Sequence, residues 1–354
     1  NSVGSDFNKA QEFLVWLWEI WTSDKKFDAT IKENDFYVPT INKSVRKSKE
    51  TYLGKEFNNE LGVELFSKSG LNYDEIYCPY IEDKDLYTSF LREIGVNKYP
   101  QIYSVTTEHQ DAPTYVKFVK TIRKFDYQGN VSWWKLKVNT IDNIKNILAQ
   151  TPTETILKWI NTDTRIKAAL IIDDEPEDST IEYKPRVTGK IYYDRWNIGW
   201  NLPSYMRYVF SMNKWIKIDE HLYSPNELII AADSFRDLGG VFCISEEYIE
   251  KFADESGFTF EDLKMVLLKL GVKESYLDLD SSQFYNLLLK LGNNDDENSR
   301  KTSREIYRSI ISNNRGTKSV KSLFYAKSEE KAKFLNEGKV LAKSQKGNIE
   351  YKPI

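Results

Sequence analysis

The sequence predicts an α+β fold made of two tandem units of mixed helices and short strands, with no large parallel sheet. Three observations carry that prediction. Ile181-Glu182-Tyr183-Lys184-Pro185 is spelled out again as Ile349-Glu350-Tyr351-Lys352-Pro353. Ile94-Gly95-Val96 returns as Leu270-Gly271-Val272, 176 residues on. Helical and strand-like stretches are interleaved without the strict strand-helix alternation of a doubly wound sheet. A long-period repeat outranks any single element in fixing the fold. The expected division is therefore a first unit over 1–180, a second over 181–348 and the opening of a third at 349–354. A unit that starts again where the chain stops predicts a part of something longer, and a first residue that is Asn agrees equally with an internal fragment, with processing or with a disordered N-terminus.

Size and composition agree with two units. At 354 residues the chain exceeds the length, about 250–300 residues, at which one hydrophobic core stops growing. Apolar residues make up 40% and aromatic residues 14%, which is ample core material. The formal charge of -3 is the small difference between 50 basic and 53 acidic residues, so a charged partner has to be recognised by a local patch. Cys78 and Cys243 each lie in an apolar neighbourhood, as reduced thiols of a cytoplasmic protein would. The apolar run from Phe13 to Trp21 is interrupted by Glu19 and is under half the roughly 20 residues that span a bilayer, and residues 1–12 show no signal-peptide pattern.

Taken in order, the elements support the repeat. Phe13, Trp16, Leu17, Ile20 and Trp21 form one helical apolar face. Phe36-Tyr37-Val38-Pro39 and Trp215-Ile216-Lys217-Ile218 each read as a strand before a polar turn, leading into Ser48–Leu53 and Ser224–Ile229. Tyr87, Phe90, Leu91 and Ile94 stand at i, i+3, i+4 and i+7 before Gly95, a left-handed helix stop. Adding 176 gives Leu263, Val266, Leu267 and Leu270 before Gly271. Residues 141–160 are helical in pattern, with Thr151 as the cap of a helix that Pro152 opens. Ile181 to Tyr193 reads as two strands around Thr188-Gly189-Lys190, and Leu202 to Phe210 as a helix. Thr259 caps the second repeated helix. Asp280 with Gln283 caps the next, whose stripe is Phe284, Leu287, Leu288 and Leu291.

Most candidate catalytic motifs dissolve on inspection. Asp173, Asp174, Glu175, Glu177 and Asp178 before Glu182-x-Lys184 imitate a magnesium-dependent nuclease. The second copy keeps Glu350-x-Lys352 without the acidic cluster, so the pentapeptide is structural. Asp278-x-Asp280-x-Ser282 imitates a calcium loop, yet Gln283 holds the turn position and Leu289 the twelfth, and helix capping explains it better. Asp237-Leu238-Gly239-Gly240-Val241 lacks the second glycine of an ATP-binding motif, and no phosphate-binding lysine loop exists. His109 and His221 have no second His or Cys at ligand spacing, which argues against zinc. No serine sits in a nucleophile elbow. Neither a cofactor nor a catalytic residue is expected.

One region has biased charge. From Arg300 to Lys346 there are thirteen Lys or Arg against four Glu. Arg300, Arg304 and Arg308 fall at i, i+4 and i+8 on a helix whose other side offers Tyr307, Ile310 and Ile311. Arginines about 6 Å apart along a helix can follow a phosphate backbone. With Lys301, Arg315, Lys318 and Lys321 they form the candidate DNA- or RNA-binding set. The tryptophan pair Trp133-Trp134 is a candidate for base stacking, because neighbours in a strand point to opposite faces.

Several strings together resemble the region that follows the ATPase domain in large bacterial sacsin-like proteins. They are Asn201-Leu202-Pro203-Ser204-Tyr205, Asn213-Lys214-Trp215-Ile216, Tyr223-Ser224-Pro225 and Leu270-Gly271-Val272. Phe36-Tyr37-Val38-Pro39-Thr40, Thr51-Tyr52-Leu53 and Phe90 to Val96 look like the preceding copy, and Lys339 to Pro353 like the opening of a third. The resemblance implies a non-catalytic scaffold or transducer, working in bacterial phage defence or protein quality control. Its implied partners are the ATPase domain of the same polypeptide and other proteins, with no membrane. The alternative is a nucleic-acid-sensing module of a defence ATPase. The ATPase motifs of the family are absent from this chain, so no family catalytic residue carries over.

Overall fold

The computed structural model describes residues 6–24, 35–79, 82–107, 114–115, 117–118, 130–171, 180–187, 190–191, 194–197, 204–230, 242–294, 296–313, 329–343 and 349–354. The fold is α+β, and the chain separates into two compact units, Asn1–Val209 and Phe210–Ile354. The boundary expected at 180/181 therefore falls inside the first unit.

The first unit opens with α1 (Phe7–Asp24), capped by Asp6, whose Oδ1 accepts from the amides of Asn8 and Lys9. Its buried stripe is Ala10, Leu14 and Leu17. Trp16 and Ile20, expected inside, are 53% and 37% exposed, because they lie roughly a quarter to a third of a turn round the helix from that stripe. Trp18 and Trp21 carry the aromatic load, stacking on each other and packing at a tilt against Phe90. A hairpin of β1 (Tyr37–Pro39) and β2 (Val45–Lys47) follows, then a 3-10 turn at Ser48–Glu50 and β3 (Thr51–Tyr52). After α2 (Glu60–Ser69) comes β4 (Asp74–Glu75), parallel to β3, and then α3 (Lys84–Glu93).

The unit then builds its main sheet. β5 (Ile102–Thr107) pairs with β6 (Asn130–Ile141), and helices α4 (Ile144–Gln150), α5 (Thr153–Thr162) and α6 (Thr164–Ile171) lead to β7 (Thr180–Val187). β7 lies between β6 on one edge and β8 (Lys190–Ile191) and β9 (Asp194–Asn197) on the other, all antiparallel. Thr151 does not cap α5. Pro152 holds the cap position without a side-chain bond, and the buried Thr151 hydroxyl has no partner.

Helix α7 (Tyr205–Met212) contains the division between the units. In the second, β10 (Ile216–Ile218) and β11 (His221–Tyr223) form a hairpin. A 3-10 turn at Pro225–Glu227, with Ser224 and Glu227 as a reciprocal capping box, leads into β12 (Leu228–Ile230), parallel to β13 (Phe242–Ile244). Next come α8 (Glu246–Ser256), α9 (Phe260–Lys269), α10 (Ser281–Asn293), α11 (Glu297–Asn313), α12 (Glu329–Glu337) and a closing hairpin of β14 (Lys339–Lys343) and β15 (Ile349–Pro353). Thr259 and Asp280 cap α9 and α10 as expected, and the four apolar residues named for α10 are all buried.

The repeat is physical as well as textual. Tyr87, Phe90, Leu91 and Ile94 are buried, and so are Leu263, Val266, Leu267 and Leu270. Gly95 and Gly271 have φ of 96° and 103°, a region closed to most side chains. There the Val96 amide donates to the Leu91 carbonyl and the Val272 amide to the Leu267 carbonyl, each at a bond length of 2.9 to 3.0 Å. Past the glycine, Asn97 bridges in parallel to Tyr52, and Lys273 to Ile229. The placement of the helix between the strands differs: α2 precedes β4, whereas α8 follows β13. The pentapeptide is extended in both units. Ile181–Pro185 lies in β7 of the first unit, and Ile349–Pro353 is β15 of the second, paired with β14 and bonded to α11.

Candidate nucleic-acid interface

Asp296 starts α11: its Oδ1 accepts from the Ser299 amide at 2.6 Å, and its carbonyl from the Arg300 amide. The inner side of the helix is more polar than usual. Ser299, Thr302, Ser303 and Ile306 are buried, with Ile310 half-buried. Tyrosines from both sides of the contact bond several of the polar groups, while the buried Ser299 hydroxyl has no partner. The Tyr351 hydroxyl donates to the Ser299 carbonyl at 2.9 Å and lies 2.7 Å from Ser303 Oγ, while the Leu341 amide donates to the Tyr307 hydroxyl. This stitching fixes which face of α11 is turned inward.

At about 100° per residue, Arg300, Arg304, Arg308 and Lys301 fall together on the outward side, with about 6 Å of rise from each arginine to the next. Lys301 and Arg308 are exposed, and Arg300 is half-buried. Arg304 is tied back: its guanidinium lies 3.5 Å from Glu297, its side chain is 38% exposed and its Nε is buried. Ile311, expected on the inner side, is 73% exposed and sits on the basic face. The i+4 spacing of the arginines carries Ile311 outward with them, since residue 311 follows Arg304 by seven and Arg308 by three. Arg315, Lys318 and Lys321 lie outside the described residues, as do the acidic cluster 173–178, His109 and the Asp237–Val241 string; the side chains of Trp133 and Trp134 do too.

A second polar site was not legible in the sequence. In the first unit, a cleft of about 360 Å³ is lined by Arg92, Asn97, Lys98, Asp163 and Arg165 among others. Arg165 donates to both oxygens of the buried Asp163, at 2.9 and 2.7 Å, and this pairing holds the guanidinium above its ordinary range. Arg92 and Lys98 at the cleft are exposed, and the Lys98 ammonium lies 5.3 Å from the centre of the Tyr99 ring. These residues are scattered over seventy positions of sequence, and only the end of α3 and the start of α6 bring them together.

The cysteines take no part in either site. Burial pushes the Cys78 thiol up to about 11 and the Cys243 thiol up to about 12, so both are protonated near neutral pH. Asp278 and Asp280 serve as caps, of the 3-10 turn at Tyr276–Asp278 and of α10. Among the described residues no group of three or more His, Cys, Asp or Glu is placed to hold a metal ion, and no helix is long and apolar enough to cross a membrane. No family model, no curated protein and no solved structure matches the chain.

Proposed function

We propose that this chain is a non-catalytic scaffold or transducer, the role implied by its resemblance to the region after the ATPase domain of sacsin-like proteins. The observation that carries the reading is one hydrogen-bond circuit built twice with different side chains. In the first unit the Asn97 side chain donates to the carbonyls of Lys49 and Thr51; in the second, Lys273 Nζ donates to the Asn226 carbonyl. A catalytic centre needs particular functional groups, whereas a scaffold needs a backbone path, and the path is what both units keep. Bacterial phage defence or protein quality control is the setting this reading favours. Its test adds the purified chain to the ATPase region of the same polypeptide and follows ATP turnover. Association with altered turnover supports a transducer, and failure to associate removes the reading.

A second reading, a nucleic-acid sensor, is favoured by the basic outward face of α11. Labelled single- and double-stranded DNA should bind with an affinity that falls roughly 100-fold between about 50 and about 200 mM salt, as four phosphate contacts require. Lys301→Glu with Arg308→Glu, both at exposed positions, should abolish binding without affecting the fold. No binding at the lower salt eliminates this reading.

A further inference from the structure

Around the turn that ends α3, the two units share a backbone path but not its charges. The offset of 176 that carries Gly95 onto Gly271 also carries Arg92 onto Leu268 and Lys98 onto Glu274. Glu274 has its own cation, Lys264, at 3.2 Å. The second turn closes through the same amide-to-carbonyl bond with no positive charge at either position, so the path does not require Arg92 or Lys98. Both are exposed in the first unit, and among the described residues neither is held in an ion pair.

They line the cleft of about 360 Å³ together with Thr164 and Arg165, which begin α6. Arg165 is placed differently from the other two cations. Asp163, only 4% exposed, accepts from its Nε and Nη2 through separate oxygens and from its backbone amide. The pairing fixes the plane of the guanidinium while half of the side chain stays exposed, so the N–H groups it does not use are pre-oriented for a ligand. Asp163 is the one carboxylate among the described lining residues, and Arg165 offsets it. Arg92 and Lys98 therefore leave the cleft with two uncompensated positive charges.

We infer that this cleft binds a small metabolite carrying a phosphate monoester, its phosphoryl oxygens received by Arg92, Lys98 and the unspent N–H groups of Arg165. A phosphate monoester carries about two negative charges near neutral pH, which matches the excess in the cleft, whereas each phosphodiester of a nucleic acid carries one. Its several acceptor oxygens suit donors arriving from separate elements, here the end of α3, the turn after it and the start of α6. The volume lies at the small end of the range for small-molecule sites, about 300–1,000 Å³, and leaves room for a compact group beyond the phosphate. The site is a feature of the first unit alone, and it depends neither on the transducer role nor on nucleic-acid binding by α11.

The test is a calorimetric titration of the full chain with inorganic phosphate and with glycerol 3-phosphate, at about 50 mM salt so that screening is modest. Both should bind saturably, glycerol 3-phosphate the more tightly. Arg92→Leu with Lys98→Glu gives the first unit the residues the second unit carries at the same positions. That variant should keep its unfolding temperature and lose about tenfold in affinity for both probes. Lys98→Glu alone, a single change at an exposed position, should lose about threefold and serves if the double variant does not fold. Lys301→Glu with Arg308→Glu, on α11, should change nothing. Absence of saturable binding up to about 10 mM overturns the inference. So does binding that ignores both cleft variants, or that falls equally with the α11 pair, since the phosphate would then be held by surface charge in general. A hexanucleotide without a terminal phosphate that competes as well as glycerol 3-phosphate overturns the choice of ligand, because a phosphodiester would then suffice.

Discussion

The two units close the same turn with opposite chemistry. In the first, the neutral, buried Asn97 side chain bonds the carbonyls of Lys49 and Thr51 at 2.8 and 2.9 Å. In the second the corresponding carbonyl, that of Asn226, receives Lys273 Nζ, and burial holds that ammonium below its ordinary range near 10.5. The backbone path is common to both, so the hydrogen bond it demands can be met by whichever donor fits. What differs is the cost: a neutral amide is desolvated cheaply, whereas an ammonium resists burial and becomes sensitive to pH.

The cores differ as well, and breaking them should give the largest effect. Phe90 lies 5.4 Å from the Trp18 ring and 5.6 Å from Tyr87, while Val266 occupies its place in the second unit. Phe90→Ala should cost about 3–5 kcal/mol in urea unfolding. Val266→Ala removes less surface and should cost about 2 kcal/mol. Equal losses would mean that the aromatic shell around α3 adds nothing over its aliphatic counterpart.

The glycines sharpen the comparison at a smaller scale. A methyl group at Gly95 would sit 3.2 Å from Lys49 Cγ and 3.4 Å from Ser48 Oγ, and one at Gly271 no closer than 3.8 Å to Asn226. Both positions pay for positive φ, so Gly271→Ala should cost about 1–2 kcal/mol and Gly95→Ala about 2–3. Reversal of that order in denaturant titrations would contradict the tighter seating of the first turn.

The smallest effect concerns Lys273. Replacing it by Met leaves the Asn226 carbonyl with only the 3.5 Å approach of Gln283 Nε2, a loss of about 1 kcal/mol near neutral pH. The folded ammonium titrates below its unfolded value of 10.5, so folding favours the neutral amine. Wild-type stability relative to Lys273→Met should accordingly rise with pH through the depressed folded value and level off above 10.5. The raised thiols of Cys78 and Cys243 act in the other direction, lowering stability above about 9, but they are common to both proteins and cancel in the difference. A difference that is flat from pH 8 to 11 would remove the buried-ammonium account.

Periodicity made a good part of the fold legible. The stripes of α3, α9 and α10, the caps at Thr259 and Asp280, and the left-handed glycines depend on neighbours within one or two turns, and local sterics and hydrogen bonding decide them. The clustering of Arg300, Lys301, Arg304 and Arg308 on one side of a helix was legible for the same reason. Tertiary contacts decided the rest. Trp16, Ile20 and Ile311 are as hydrophobic as their buried neighbours, and only the partner packed against each helix chooses which part of a broad apolar face is covered. The meeting of Arg92, Lys98 and Arg165 at one cleft likewise follows from how the chain turns back on itself. Most telling is the pentapeptide. Its sequence determined that it would be an extended strand in both places, since the backbone preference is carried by the residues themselves. Which strands pair with it, β6 and β9 in the first unit and β14 in the second, was settled by the fold, because strand pairing joins residues far apart in sequence and the hydrogen bonds of an edge belong to whatever segment the fold brings alongside.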